Sequence, residues 1–258
     1  MNSELRNHII RLLESGTRLD GRKLTDYRQP IKIEYGVSNT AEGSAKVQIG
    51  DTEVIAGVKV EISTPFPDTP EEGGLMVNTE LLPLSSPDFE SGPPGIEAIE
   101  LARVVDRAIR ESKAVDFKGL CIEKGEKAWF IMIDVISLNS SGNLLDAASL
   151  AAIAAVKDMR FPALNDEGKI EYKEKTDKKL GMKAWPLSVT VSKIGSSFIV
   201  DPDLDEEKVI DARLTVGSLD DGTLCSMQKG GNSPLAEQDI LQMIDIAVEK
   251  AKELRKML

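Results

Sequence analysis

The stretch 127–155, KAWFIMIDVISLNSSGNLLDAASLAAIAA, decides the fold. Residues 127–138 are rich in aromatic and β-branched side chains, which favour a central β-strand. Residues 144–159 form an alanine-rich segment of helical length, and its small side chains permit close packing on a sheet. A strand followed directly by such a helix predicts a sheet that is covered by helices.

The segments before this stretch add strands and helices. Residues 44–49 and 52–62 flank Gly50-Asp51, as expected for a β-hairpin with a two-residue turn. The other predicted elements are a helix at 3–14, a strand at 31–35, a short strand near 75–82 within the irregular stretch 64–94, and a helix at 96–112.

The segments after the stretch repeat this plan. Residues 165–179 are rich in Lys and Glu and predict an exposed excursion, and strands are expected at 187–192, 197–200, 209–216 and 223–228. Ser233 and Pro234 are expected to open the last helix as its cap and first residue. Strands grouped before helices, in both halves, predict an α+β fold with helices packed on mixed sheets.

Composition excludes several classes of protein. Two cysteines without a CxxC motif exclude a disulfide framework and a finger-type zinc site. The single histidine, His8, argues against Ser-His and Cys-His hydrolases. We expect neither a metal nor another cofactor.

The charge balance bears on the choice of partner. The formal net charge is −11, which weighs against nucleic acid because phosphate contacts normally need a basic surface. A few clustered arginines in a channel can nevertheless outweigh distant acids. No apolar run approaches the roughly 20 residues of a spanning helix, and the first residues do not resemble a signal peptide. We therefore expect a cytoplasmic protein without a membrane partner.

The helix at 96–112 carries a row of arginines. At 100° per residue, Arg103, Arg107 and Arg110 share the side opposite the apolar residues. Glu100 is expected to reach Arg103, and Asp106 to reach Arg110. The arginine row is either a solvated, ion-paired helix face or an anion track, since guanidinium groups pair bidentately with phosphate.

Six segments in order resemble the RNase PH family, and in particular its non-catalytic members in archaeal exosomes. They are RLDGR at 18–22, EGSAKVQIGDTEVIAGVKVEIS at 42–63, IELARVVDRAIRES at 99–112, GNLLDAASLAAIAA at 142–155, IVDPDLDEEKVIDARLTV at 199–216 and MQKGG at 227–231. The resemblance spans nearly the whole chain and implies two similar βαβ-type subdomains. The implied division is an N-terminal helix and arm (1–25), a first RNase PH-like subdomain (26–163), an exposed linker (164–185) and a second subdomain with the C-terminal helix (186–258).

The resemblance also implies partners. Such subunits alternate with a catalytic RNase PH-like paralogue in a hexameric ring, a trimer of heterodimers that is capped by proteins with S1 or KH domains. The catalytic subunits degrade single-stranded RNA from 3′ to 5′ by phosphorolysis and release nucleoside diphosphates.

The phosphate site of active members is degenerate in this sequence. Active members follow a glycine-rich turn with Ser or Thr and Arg at a helix start, where N–H groups and the helix dipole hold phosphate. The resemblance aligns Asn143, Leu144 and Leu145 with that site. Asp146 is expected to add a repelling negative charge near the helix start.

An acidic pair is partly retained. Active members carry two aspartates at a spacing of six, and the resemblance aligns Asp201 and Glu207 with them. The pair is either a residual acid or metal-binding site, or part of a solvated acidic turn together with Asp205 and Glu206.

The leading hypothesis is a subunit with no catalytic residue of its own. It would build the ring with the catalytic paralogue, help to shape the paralogue's active site, and contact the RNA backbone through Arg103, Arg107 and Arg110. One alternative is a self-sufficient phosphorolytic 3′-to-5′ exoribonuclease that uses Asp201 and Glu207. Another is a structural ring-former without RNA contact.

Overall fold

The computed structural model describes residues 3–166 and 168–258. The α+β prediction is confirmed, with helices packed on mixed sheets. In chain order the elements are α1 (Ser3–Glu14), β1 (Ile31–Tyr35), β2 (Gly43–Ile49), β3 (Thr52–Ser63), β4 (Gly74–Leu81), α2 (Ile96–Glu111), β5 (Cys121–Glu123), β6 (Lys127–Asn139), α3 (Leu144–Asp158), β7 (Pro162–Leu164), β8 (Ile170–Lys175), β9 (Leu187–Ile194), β10 (Ser197–Val200), α4 (Leu204–Glu207), β11 (Ala212–Ser218), β12 (Leu224–Gly230) and α5 (Glu237–Arg255).

The first sheet has the order β1-β2-β3-β6-β4, with β5 beside β6. Alternate residues of β3 are buried, as expected for a strand with one face on the core. The β2–β3 hairpin turns at Gly50-Asp51 as predicted, with Ile49 opposite Thr52. Because β4 runs parallel to β6 and α2 lies between them in the chain, β4, α2 and β6 form a βαβ unit.

The second sheet has the order β10-β9-β11-β12. Both β10 and β11 are antiparallel to the strand between them, β9, so they run in the same direction and α4 connects them. The chain therefore crosses over once in each half. Within the described residues, no helix has the length and apolar character that a membrane crossing requires.

Helix α3 joins the two sheets. It contacts β2 and β3 of the first sheet and β9 of the second. Its alanines are fully buried, which allows the backbone to approach both sheets closely: Ala147, Ala148, Ala151, Ala152, Ala154 and Ala155. One apolar cluster therefore runs through both halves of the chain.

Two predicted boundaries are wrong. Strand β11 begins at Ala212 rather than at 209, because the preceding residues form α4 with a capping box from Asp203. Helix α5 begins at Glu237 with Ala236 as its cap, because the Ser233 N–H donates to Asp211 O of the preceding sheet edge instead of opening a helix.

The exposed excursion contains a β-hairpin that was not predicted. Strands β7 and β8 pair antiparallel, and β8 is almost entirely exposed. Tyr172 on β8 lies under the Lys59 ammonium group, 4.7 Å from the ring centroid. Of the predicted excursion, Glu167 lies outside the described residues.

Asp146 links α3 to the second sheet. Strand β10 pairs with β9 only from Val191 onward, so the N–H groups of Ser188 and Thr190 lie beyond its end. The Ser188 N–H donates to Ser149 Oγ at 3.0 Å. The Thr190 N–H donates to Asp146 Oδ1 at 2.8 Å. The prediction that Asp146 places a repelling charge at the start of the helix is wrong, because this carboxylate is fully buried and points into the core.

Tyr27 completes the environment of this carboxylate. Tyr27 lies in the segment before β1, and its hydroxyl donates to Asp146 Oδ2 at 2.7 Å. Burial raises the pKa of Asp146 to about 7, although the hydrogen bonds from Tyr27 and Thr190 oppose the shift. The pKa of Asp146 is therefore higher in the folded than in the unfolded protein. The contribution of this group to the free energy of unfolding is fully present at low pH and is lost as pH rises toward 7.

Replacing Asp146 with Asn should remove this pH dependence. The amide keeps an acceptor for the Thr190 N–H and can donate to the Tyr27 hydroxyl oxygen. Between about pH 5.5 and about pH 8, the free energy of unfolding of D146N relative to wild type should rise by on the order of 2 kcal/mol. Urea unfolding at several pH values measures this difference, and parallel pH profiles for the two proteins would contradict it.

Candidate functional site

Asp201 follows β10 and is fully buried. Its carboxylate accepts hydrogen bonds from the backbone N–H of Arg28 at 2.7 Å, from the Arg28 guanidinium at 2.8 and 3.0 Å, from Arg22 Nη1 at 3.1 Å and from Asn143 Nδ2 at 3.0 Å. Asp201 adopts a left-handed conformation with φ of 55°. A carboxylate that is saturated by two guanidiniums and an amide is an anchor for the backbone around it.

The segment before β1 supplies a second buried ion pair. Arg18 donates through Nε to Glu206 Oε1 at 2.9 Å and through Nη2 to Glu206 Oε2, and both residues are almost completely buried. Arg18 also donates to the carbonyl oxygens of Val200 and Asp201, at 2.6 and 2.8 Å. The interpretation of Asp201 and Glu206 as parts of a solvated acidic turn is therefore wrong.

The turn that leads into α3 is held against the loop after Asp201. Gly142 has φ of 101°, and a Cβ there would lie 2.3 Å from Pro202 O, so only glycine fits. Asn143, which is buried with φ of 55°, donates its N–H to Glu207 Oε1 at 2.8 Å. The first free N–H at the head of α3 is thus bound to a carboxylate of the same chain.

A cavity of about 480 Å³ opens at this turn, and we call it the α3 cavity. Its apolar wall contains Leu81, Leu101, Leu144, Leu145, Leu204 and Ile210. Its charged side chains are Asp88, Glu97, Glu100, Glu207 and Arg213. Four carboxylates thus face one guanidinium, which makes the interior unfavourable for an anion.

The one guanidinium is already paired. Arg213 Nη2 lies 2.7 Å from Glu100 Oε2. The expected contact between Glu100 and Arg103 is therefore wrong, because Arg213 on β11 reaches the carboxylate across the helix–sheet interface. Although Glu207 is exposed as a residue, its carboxylate lies against the cavity wall, where burial raises its pKa.

The arginine row lies on α2 outside the α3 cavity. Arg103 is exposed, and no hydrogen bond or ion pair joins it to another residue in the described part of the chain. Arg107 is half-buried and donates through Nη2 to Gln228 Oε1 on β12. Arg110 is 2.7 Å from Asp106, as predicted, and also donates to Leu75 O at 2.7 Å.

The structure groups the candidate residues into two places. Asn143, Leu144, Leu145 and Glu207 share the α3 cavity, while the carboxylate of Asp201 is enclosed behind it. The arginine row contributes nothing to the cavity wall. Among the described residues, no group of three or more His, Cys, Asp or Glu side chains converges on a point that could hold a metal ion.

Sequence reasoning missed the arginines that enclose the acidic loop. Arg18, Arg22 and Arg28 all lie before β1, while their partner Asp201 is 173 or more residues further along the chain. Arg18 and Arg22 belong to the RLDGR segment, which by itself indicates only the family resemblance. A spacing pattern cannot reveal contacts of such long range.

The domain models of a 3′ exoribonuclease family match most of the chain. Domain 1 of that family, RNase_PH, matches residues 28–162, and domain 2, RNase_PH_C, matches residues 184–250. The exosome complex component Rrp42 of Methanosarcina acetivorans is 50% identical over 250 residues, which is 97% of this chain and 91% of that protein.

Solved structures show the same similarity. A chain of the Archaeoglobus fulgidus exosome with RNA bound to the active site is 42% identical, with a TM-score of 0.90, and the match covers 98% of this chain and 97% of that one. A chain of an archaeal exosome core is 38% identical, with a TM-score of 0.85, and the match covers 98% and 95%. The chain therefore belongs to the RNase PH family of 3′ exoribonucleases.

Proposed function

We propose that this chain is a non-catalytic subunit of an exosome, acting in the cytoplasm. The observation that carries the proposal is the bond from the Asn143 N–H to Glu207. The head of α3, where a helix N-terminus would hold inorganic phosphate, already binds an internal carboxylate. Leu144 and Leu145 add no hydroxyl or guanidinium, and the surrounding charge is negative.

The proposed partners follow from the same family membership. The chain would alternate with a catalytic RNase PH-like paralogue in a hexameric ring, and proteins with S1 or KH domains would cap the ring. Similarity to an exosome component and to chains of two exosome structures, over nearly the whole length, supports this assembly.

The arginine row is the proposed contribution to RNA binding. Arg103 has no partner among the described residues and Arg107 is held only by a neutral amide, so both guanidiniums can pair with phosphate. Arg110 is neutralised by Asp106 and contributes less. Phosphate contacts position a strand without reading its sequence, which suits a processive degrader.

The purified chain should show no phosphate-dependent release of nucleoside diphosphate from oligoadenylate. Activity should appear when the catalytic paralogue is added, because only the paralogue provides a phosphate site. The measurement is product release with and without inorganic phosphate, with circular dichroism to verify that the isolated chain is folded. Phosphorolysis by the chain alone would show that it is a self-sufficient exoribonuclease.

Charge reversal of the row should weaken RNA binding by the assembled ring. Arg103→Glu combined with Arg107→Glu should lower the affinity for single-stranded RNA about tenfold or more at low salt, and less at high salt, since two phosphate contacts become repulsive. Fluorescence anisotropy measures the affinity.

A matched control is Arg11→Glu on the exposed side of α1, where the one hydrogen bond of Arg11 within the described residues is to the Asn7 carbonyl oxygen. Because this control reverses only one charge, the single variant Arg103→Glu is also compared with Arg11→Glu. Unchanged affinity of the double variant would favour a purely structural ring-former.

A further inference from the structure

Two residues of the second sheet contact α2 beside the arginine row. Arg107 Nη2 donates to Gln228 Oε1 on β12, and Arg213 Nη2 on β11 lies 2.7 Å from Glu100 Oε2. Glu100 and Arg107 are about two helical turns apart, so both lie on the same side of α2. Arg103 lies between them along the helix and has no partner among the described residues.

The pairing of β11 with β12 places both contacts on one face of the second sheet. Arg213 is opposite Gly230, and Thr215 is opposite Gln228, two residues further along each strand. Residues two apart on a strand share a face. Gly230 has no side chain, and a Cβ there would overlap the Arg213 guanidinium, so this group lies across the neighbouring strand. The sheet therefore presents one cation and one neutral amide to α2.

The neutral amide of Gln228 orients Arg107 without cancelling its charge. Glutamine offers one carbonyl oxygen as acceptor, whereas a guanidinium carries five N–H donors in a rigid fork. The bond therefore fixes the plane of the Arg107 group and leaves other donors free for a phosphate. Arg110 is the contrast within the row, because the Asp106 carboxylate accepts from both its Nε and its Nη2 and neutralises it.

The Arg213 side chain removes a competing carboxylate from Arg103. Glu100 precedes Arg103 by three residues, a spacing at which an acid and a base can pair on a helix. In the structure, the Glu100 carboxylate binds Arg213 instead, and both of these side chains are half-buried. Arg103 therefore stays charged and unpaired at the surface within the described part of the chain.

We propose that Gln228 and Arg213 are positioning residues for RNA binding by the arginine row. Gln228 fixes Arg107 in a charged and oriented state, and Arg213 withholds Glu100 from Arg103. Both residues act through the arginines of α2 and not through a contact of their own with RNA. This inference rests on the proposed RNA contact of the row, and variants of the row and of its two supports give separate outcomes.

The RNA affinity of a ring assembled with the catalytic paralogue tests Gln228. Gln228→Met removes the acceptor without changing the charge and should weaken single-stranded RNA binding about threefold in fluorescence anisotropy. In an Arg107→Gln background the same change should have no further effect, because the group that Gln228 positions is gone. Gln48→Met is the matched control, since this half-buried glutamine lies on β2 and donates to the Gly50 carbonyl oxygen at 2.9 Å. It should leave the affinity unchanged.

Gln228→Glu distinguishes positioning from a purely structural bond. The carboxylate keeps an acceptor for Arg107 and forms an ion pair with it, so thermal stability should be unchanged or higher. RNA affinity should nevertheless fall about tenfold, and the slope of log Kd against log salt should become shallower by about 0.7, the value for one lost phosphate contact on a single strand. A bond that serves stability alone would leave both RNA measurements unchanged.

Arg213→Met tests the second support, and a further change of Glu100 provides the rescue. The released Glu100 carboxylate should pair with Arg103 and weaken RNA binding about threefold. Adding Glu100→Gln removes this competitor and should restore the affinity. Arg213→Met combined with Glu97→Gln has the same net charge and is the matched control, which should not restore it.

The variants separate this inference from the proposed function. Unchanged affinity of Arg107→Gln would overturn the proposed RNA contact and the positioning roles with it. Weaker binding by Arg107→Gln, together with wild-type affinity of Gln228→Glu and Arg213→Met, would leave the RNA contact standing and overturn the positioning roles. Size-exclusion chromatography verifies that each ring is assembled.

Discussion

The carboxylate of Asp201 joins three parts of the chain that are distant in sequence. Arg22 and Arg28 bind it from the segment before β1, Asn143 binds it from the head of α3, and its own backbone follows β10. Removing one member of such a buried ionic group costs about 3–5 kcal/mol, because the remaining charges stay buried without a partner. The mutual position of the two sheets at the candidate site depends on this group.

The same contacts limit what chemistry the site can perform. Asp201 is enclosed by donors, and Glu207 accepts the N–H that a phosphate would otherwise occupy. Both acidic residues that the family resemblance identified are therefore used to hold the backbone. The cations that could bind RNA lie elsewhere, in the arginine row on α2. Structural anchoring at the cavity and the proposed RNA contact on α2 therefore use different side chains.

Local patterns predicted the elements well and the site only in part. Period-two alternation identified the β2–β3 hairpin, and the alanines of α3 correctly indicated a helix packed on a sheet. The predicted start of α5 was wrong because the Ser233 N–H donates to the Asp211 carbonyl oxygen. This tertiary contact overrides the capping signal in the sequence. The burial of Asp146 was missed because its partners, Tyr27 and Thr190, lie 119 and 44 residues away in sequence.

In the proposed role, the acidic pair of this chain anchors structure and does no chemistry. The most direct test is the phosphorolysis rate of a ring assembled from the catalytic paralogue and Glu207→Gln. Glutamine keeps an oxygen that accepts the Asn143 N–H but loses the charge and the capacity to act as an acid or base. The expected turnover per ring is within about twofold of wild type, and a loss of about tenfold or more would assign a chemical role to Glu207.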